Sequence, residues 1–157
     1  MKNIPCGLYR TTRSIGERVP AGALVYYHSH GDPGPGVYMP RVWQHNRVVF
    51  EEHGTTVPDP GYAESLQPLP AEGLYRVVES FPCCERRCVT YEEDQLVQLG
   101  YNGRGQPILF IPELTLTELR FPERGTVIEE SKLSRLRLLK VPSGTAPEPP
   151  PAHAHAN

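Results

Sequence analysis

Apolar positions along the chain come in short bursts separated by glycine and proline. Leu8 and Tyr9 fall in one burst, Ala23-Leu24-Val25-Tyr26-Tyr27 form a second, and Gly36-Val37-Tyr38-Met39 form a third. Later, Leu96-Val97-Gln98-Leu99 and Ile108-Leu109-Phe110-Ile111 flank Tyr101-Asn102-Gly103-Arg104-Gly105. Aromatic and β-branched residues on either side of Gly-Pro or Asn-Gly breaks predict short strands joined as hairpins. Pro40 and Pro112 each follow such a burst and suit the first turn of a short helix. The seven-residue spacing of Trp43 and Phe50 fits one helical face, and a strand fits residues 40–53 as well. Leu133, Leu136 and Leu139 recur at every third position of 131–140, a short helix or a closing strand.

The bursts repeat. Gly7-Leu8-Tyr9-Arg10 returns as Gly73-Leu74-Tyr75-Arg76, and Leu24-Val25 as Leu96-Val97. Val37-Tyr38-Met39-Pro40 lines up with Leu109-Phe110-Ile111-Pro112, Phe50 with Phe121, and Gly54-Thr55 with Gly125-Thr126. Leu66 and Leu69 then fall opposite Leu136 and Leu139. The offsets run 66, 72, 72, 71, 71 and 70, so the second copy gains six residues between its first two anchors. Order kept over six anchors predicts a tandem duplication. A unit of this size buries only ~60% of its unfolded surface, which leaves it marginal alone. The expected fold is therefore mainly β: two small β-barrel-like units of SH3-like size, packed together, with short helices allowed. The first repeat is expected over 1–72 and the second, with a cysteine-containing insertion, over 73–141.

Composition narrows the picture. There are 18 prolines among 157 residues, and proline breaks helix interiors, which favours strands and turns. Residues 142–157 hold Pro, Ala and two His with little to bury, so a disordered tail is expected there. Sixteen basic against 18 acidic residues give a charge of −2, without the basic surplus of a nucleic-acid binder. No apolar run approaches the ~20 residues that cross a bilayer, and no signal-like segment follows Met1. A soluble cytoplasmic protein with neither a nucleic-acid nor a membrane partner is expected, its four cysteines reduced.

Two strings carry candidate chemistry. The first is Tyr26-Tyr27-His28-Ser29-His30-Gly31-Asp32. On a strand, His28 and His30 project to one face, and Asp32 offers an oxygen ligand for the same metal ion. The string resembles the first half of the metallo-β-lactamase signature, His-x-His-x-Asp-His, with Pro33 at the place of the last histidine. It is also similar to the His-Ser-His core of the JAMM metalloproteases, with Tyr38 and Arg41 where that motif continues with Ser and Asp. Both resemblances imply a small metal-dependent hydrolase using His28, His30 and Asp32. In the second copy this tip reads Tyr101–Gly105, without those ligands.

The second string is Phe81-Pro82-Cys83-Cys84-Glu85-Arg86-Arg87-Cys88, beside the six inserted residues. Cys83, Cys84 and Cys88 are candidate zinc ligands, although the usual Cys-x2-Cys spacing is absent. Alternatively Arg86 and Arg87 favour a thiolate there, giving a redox-active or nucleophilic thiol. A third reading makes these cysteines small apolar residues at a strand end.

No phosphate loop, nucleophile elbow or dinucleotide fingerprint occurs. The leading expectation is therefore a non-enzymatic protein-interaction module: an adaptor, an inhibitor or immunity-type protein, or an accessory subunit. Its partner is a protein or peptide; no cofactor is expected, zinc being the ion the sequence allows. Expected binding residues are Tyr27, His28, His30, Asp32, Trp43, Arg86 and Arg87.

Overall fold

A computed structural model describes residues 3–142, so the expected tail lies outside the described residues from 143 onward. The first half of the chain forms β1 (Gly7–Arg10), β2 (Leu24–His28), β3 (Gly36–Tyr38), β4 (Pro40–Gln44), β5 (Arg47–Phe50) and β6 (Thr55–Thr56), then helix α1 (Pro60–Ser65) and β7 (Gln67–Pro68). The second half forms β8 (Gly73–Val77), β9 (Phe81–Pro82), β10 (Thr90–Tyr91), β11 (Leu96–Tyr101), β12 (Pro107–Phe110), β13 (Glu113–Leu114), β14 (Leu119–Arg120) and β15 (Thr126–Val127). A 3-10 turn (Glu130–Arg135) and β16 (Leu136–Leu138) close it. The fold is mainly β, as the burst pattern predicts.

Two five-stranded antiparallel sheets carry the structure, ordered β6-β3-β2-β1-β7 and β15-β12-β11-β8-β16. Neither closes into a barrel. The ring expected from sequence would need each sheet's two outer strands to pair with each other; those strands are only two or three residues long and stand at opposite edges. Strand order and register correspond between the halves. Tyr9 pairs with Val25 and Tyr75 with Val97; Tyr26 pairs with Tyr38 and Gln98 with Phe110; Val37 pairs with Thr55 and Leu109 with Thr126. Tyr9 and Tyr75 each donate a phenolic hydrogen bond of 2.6 Å to the carbonyl four residues upstream, on Pro5 and Ala71.

In each half a two-stranded hairpin follows the third strand of the sheet, β4–β5 in one and β13–β14 in the other. Residues 40–53 thus contain a hairpin rather than a helix. His45 and Asn46 turn it at φ of 53° and 65°, the left-handed conformation that a two-residue hairpin turn requires. Pro40 costs nothing in such an edge strand. Residues 131–140 divide between the two expectations, entering as a 3-10 turn and leaving as strand β16.

The halves share one core. Leu24, Tyr38, Val48 and Phe50 pack into the same buried cluster as Tyr75, Val77, Phe81, Tyr91, Val97, Leu99, Tyr101 and Leu109. A smaller cluster lies on the other face of the first sheet, where Val25, Tyr27 and Val37 meet Tyr62 and Leu66 around α1. That helix starts at Asp59, which accepts the Tyr62 N–H at 2.8 Å, with Pro60 in its first turn. Hairpin β4–β5 crosses β11 of the second sheet. Trp43 Nε1 donates to the Tyr101 carbonyl at 2.8 Å, and Asn46 Nδ2 donates to Gln98 Oε1 at 3.0 Å and to the Pro122 carbonyl at 2.8 Å.

Candidate functional site

The β1–β2 register builds the clearest constellation. Gly7 pairs with Tyr27, so the residue before Gly7 faces the residue after Tyr27. Cys6 and His28 meet there, and His30 lies two residues beyond. The ligand atoms of Cys6, His28 and His30 all fall within 4.8 Å of one another. Cys6 Sγ is 3.8 Å from His30 Nδ1, and the imidazole rings of His28 and His30 have centroids 5.6 Å apart. Ser29 ties the two segments together: its N–H donates to Cys6 Sγ at 3.3 Å, while its hydroxyl lies 3.3 Å from the same sulfur and 3.1 Å from His30 Nδ1. Strand alternation was expected to bring His28 and His30 together; β2 instead ends at His28, and the turn at Ser29-His30 brings the two rings together. Among the described residues, the third member of this group is Cys6 and not Asp32. Cys6 stands far from the histidines in sequence, and only the strand register could have pointed to it.

The inserted cysteines sit elsewhere. Strands β9 and β10 make a small hairpin that caps the shared core with Phe81, Cys83 and Tyr91. Cys83 is buried at the end of β9; its sulfur accepts the Val89 N–H at 3.4 Å and lies 3.5 Å from Cys84 Sγ. That is the apolar strand-end role. Cys84 is half-buried and Cys88 exposed. The Cys84 thiol is held below its usual range by a hydrogen bond from Cys83 and by the backbone N–H groups of Arg86, Cys88 and Arg87. The Cys83 thiol first, and peptide groups of the loop after it, favour the thiolate, rather than the guanidinium charges expected from sequence. Cys88 is pushed up, chiefly by the charge on Cys84. A cavity of about 500 Å³ opens beside this loop, lined among others by Arg10, Cys84, Val127 and Glu130. Arg10 is already committed within it, ion-paired with Glu130 and donating to the Gly105 carbonyl at 3.2 Å.

The expected aromatic anchors divide. Tyr27 is buried, edge-on to Tyr9 at 5.9 Å, and so belongs to the core rather than to a contact surface. Trp43 keeps 42% of its surface exposed while its indole N–H holds hairpin β4–β5 in place. Arg86, Arg87 and Asp32 are exposed.

The most exposed apolar group is one the sequence reading passed over. Hairpin β13–β14 presents Leu114 at 84%, Leu116 at 106% and Leu119 at 45% exposure. Its shape is fixed internally. Thr115 N–H donates to the Glu118 carbonyl at 2.8 Å, Glu118 N–H donates to Thr115 Oγ1 at 3.0 Å, and Arg120 pairs with Glu113 at 2.9 Å. The signal was present as Leu-Thr-Leu-Thr at 114–117, an alternation with no second apolar face in the sequence to meet it.

Comparison with family models, with curated proteins and with solved structures finds no match for this chain. Among the described residues no helix is long and apolar enough to cross a membrane.

Proposed function

We propose that this chain is a non-enzymatic protein-interaction module built by tandem duplication, and that it docks through the leucine hairpin β13–β14. The observation that carries this reading is Leu116, fully exposed at the tip of a hairpin whose backbone is already ordered. Burying a leucine side chain is worth about 1.5–3 kcal/mol, and a preformed finger loses little entropy on docking.

Common descent of the halves explains why the finger is free. The corresponding hairpin of the first half, β4–β5, lies across the second sheet. Among the described residues hairpin β13–β14 stands as a two-stranded sheet of its own with its leucines exposed, and the partner covers them. The partner is a different protein with an apolar cleft, not a second copy of this chain. In the second sheet the crossing hairpin approaches Gly100 so closely that an added Cβ would stand 2.7 Å from the Asn46 carbonyl oxygen. The residue at the matching register of the first sheet is His28, paired with Gly36 as Gly100 is with Ile108. An imidazole there denies the close approach that the finger needs. No reaction calls for a cofactor in this reading, and zinc, the ion the sequence allows, enters it only as a structural ion.

A photoreactive residue placed at 116 tests the reading. In native lysate it is expected to give one discrete heterologous adduct, lost when Leu114→Asp is added and absent when the probe is moved to position 52. Adducts that persist in the Leu114→Asp chain, or that contain only this chain, would overturn it.

A further inference from the structure

We infer that Cys6, His28 and His30 form a zinc-binding site that staples the start of β1 to the β2–β3 turn. The assignment rests on zinc being this protein's ion and gives that ion its ligands.

Three observations carry it. The donor set is one thiolate and two imidazoles, which suits zinc and disfavours magnesium or calcium, both of which take oxygen ligands. The spacing is right for a single ion. With Zn–S near ~2.3 Å and Zn–N near ~2.0 Å in a tetrahedron, the sulfur-to-nitrogen edge is about 3.5 Å. Cys6 Sγ and His30 Nδ1 stand 3.8 Å apart and all three ligand atoms lie within 4.8 Å, so small side-chain rotations complete the geometry. The backbone is also arranged in advance. The two segments are joined by the β1–β2 ladder and by Ser29 N–H on Cys6 Sγ, so the ligands need not be gathered from a flexible chain.

The site has a stated chemistry. Zinc binding requires the thiol proton to leave Cys6 and both imidazoles to be neutral at their ligating nitrogens. Three protein ligands leave one tetrahedral position for water, and the exposure of His30 and Cys6 keeps that position in contact with solvent. No new bond of substrate is made or broken. The ion ties Cys6, ahead of β1, to the loop after β2, and it stabilises the first sheet by mass action.

The test uses the full chain without an affinity tag, reduced, with zinc or cobalt(II) as the added probe. Zinc alone is expected to bind one per chain and to raise the unfolding temperature. Cobalt(II) is expected to give a thiolate-to-metal charge-transfer absorption. Cys6→Ser should abolish that absorption and weaken zinc binding by more than the ~10–100-fold that loss of an outer-shell partner costs, and His30→Ala should weaken binding comparably. A chain carrying Cys83→Ser, Cys84→Ser and Cys88→Ser should keep both the absorption and the zinc, as should a chain with His153→Ala and His155→Ala in the tail. If zinc binds but the absorption follows the loop cysteines or the affinity follows the tail histidines, the assignment to Cys6, His28 and His30 fails while zinc as the ion survives. If no zinc binds to the reduced chain, both fail.

Discussion

Glu72 occupies the seam between the two halves, and its position sets how stability responds to pH. Its Oε2 accepts the Val48 N–H at 3.1 Å, tying the end of the first half, next to β8, back to hairpin β4–β5. Burial dominates its environment and raises its carboxyl from the usual 4.5 to about 7, against smaller opposing contributions from the Val48 N–H and from Arg47. The folded chain therefore holds this proton over a range in which the unfolded chain has released it. Stability from this group is fully present below about pH 4.5 and is lost as pH rises toward about 7, on the order of 3 kcal/mol in total. Urea midpoints at pH 5 and pH 8 should fall accordingly, and Glu72→Gln should flatten that slope while keeping an acceptor for Val48. An unchanged slope in Glu72→Gln would show that other groups set the dependence.

At the scale of elements, the hairpin β4–β5 decides how the halves meet. Gly100 lies beneath its turn: a Cβ there would sit 2.7 Å from the Asn46 carbonyl oxygen and 3.3 Å from the Phe110 ring. Gly100→Ala must lift the hairpin or displace β11, at a cost of about 1–3 kcal/mol. Gly103→Ala, where the nearest atom is Trp43 at 3.9 Å, serves as the near-neutral control, and equal melting temperatures for the two variants would contradict the close approach. This contact was hidden in the sequence for a definite reason. The His45-Asn46 turn lacks the Asn-Gly or Asp-Gly pair that announces a hairpin, and Pro40 reads as readily as a helix start. Other elements were legible. The flanks of Asn102-Gly103 gave β11 and β12, and the repeated Gly-Leu-Tyr-Arg gave β1 and β8, because their signals are local. Helix α1 had its signal in Asp59-Pro60, an N-cap followed by proline, but its six residues were too few for periodicity. The site was half legible. The two histidines stand out in the sequence, but a turn at Ser29-His30 rather than strand alternation brings them together, and Cys6 joins them only through pairing of β1 with β2.

For the whole molecule, the shared core makes each half depend on the other. The first sheet covers one face with α1, Tyr62 and Leu66, but its Leu24 and Tyr38 are buried among residues of the second half. The second sheet in turn has Gln98 hydrogen-bonded to Asn46 and to the His45 carbonyl of the first-half hairpin. Cutting the chain before Gly73 would expose that apolar seam on both sides and leave the Tyr101 hydroxyl without the Pro70 carbonyl that it meets at 2.6 Å. Units of this size bury a smaller fraction of their surface than larger domains do, and neither has margin for such a loss. Residues 1–72 and 73–157 expressed separately are therefore expected to show collapsed amide dispersion, and mixing them should restore the dispersed spectrum of the intact chain. The intact chain should unfold in one transition, with the same urea midpoint whether followed by amide signals of β2, which report the first half, or by amide signals of β11. Two separated midpoints, or a well-dispersed spectrum from either half alone, would mean that the common core contributes little and that the halves are held together by the chain alone.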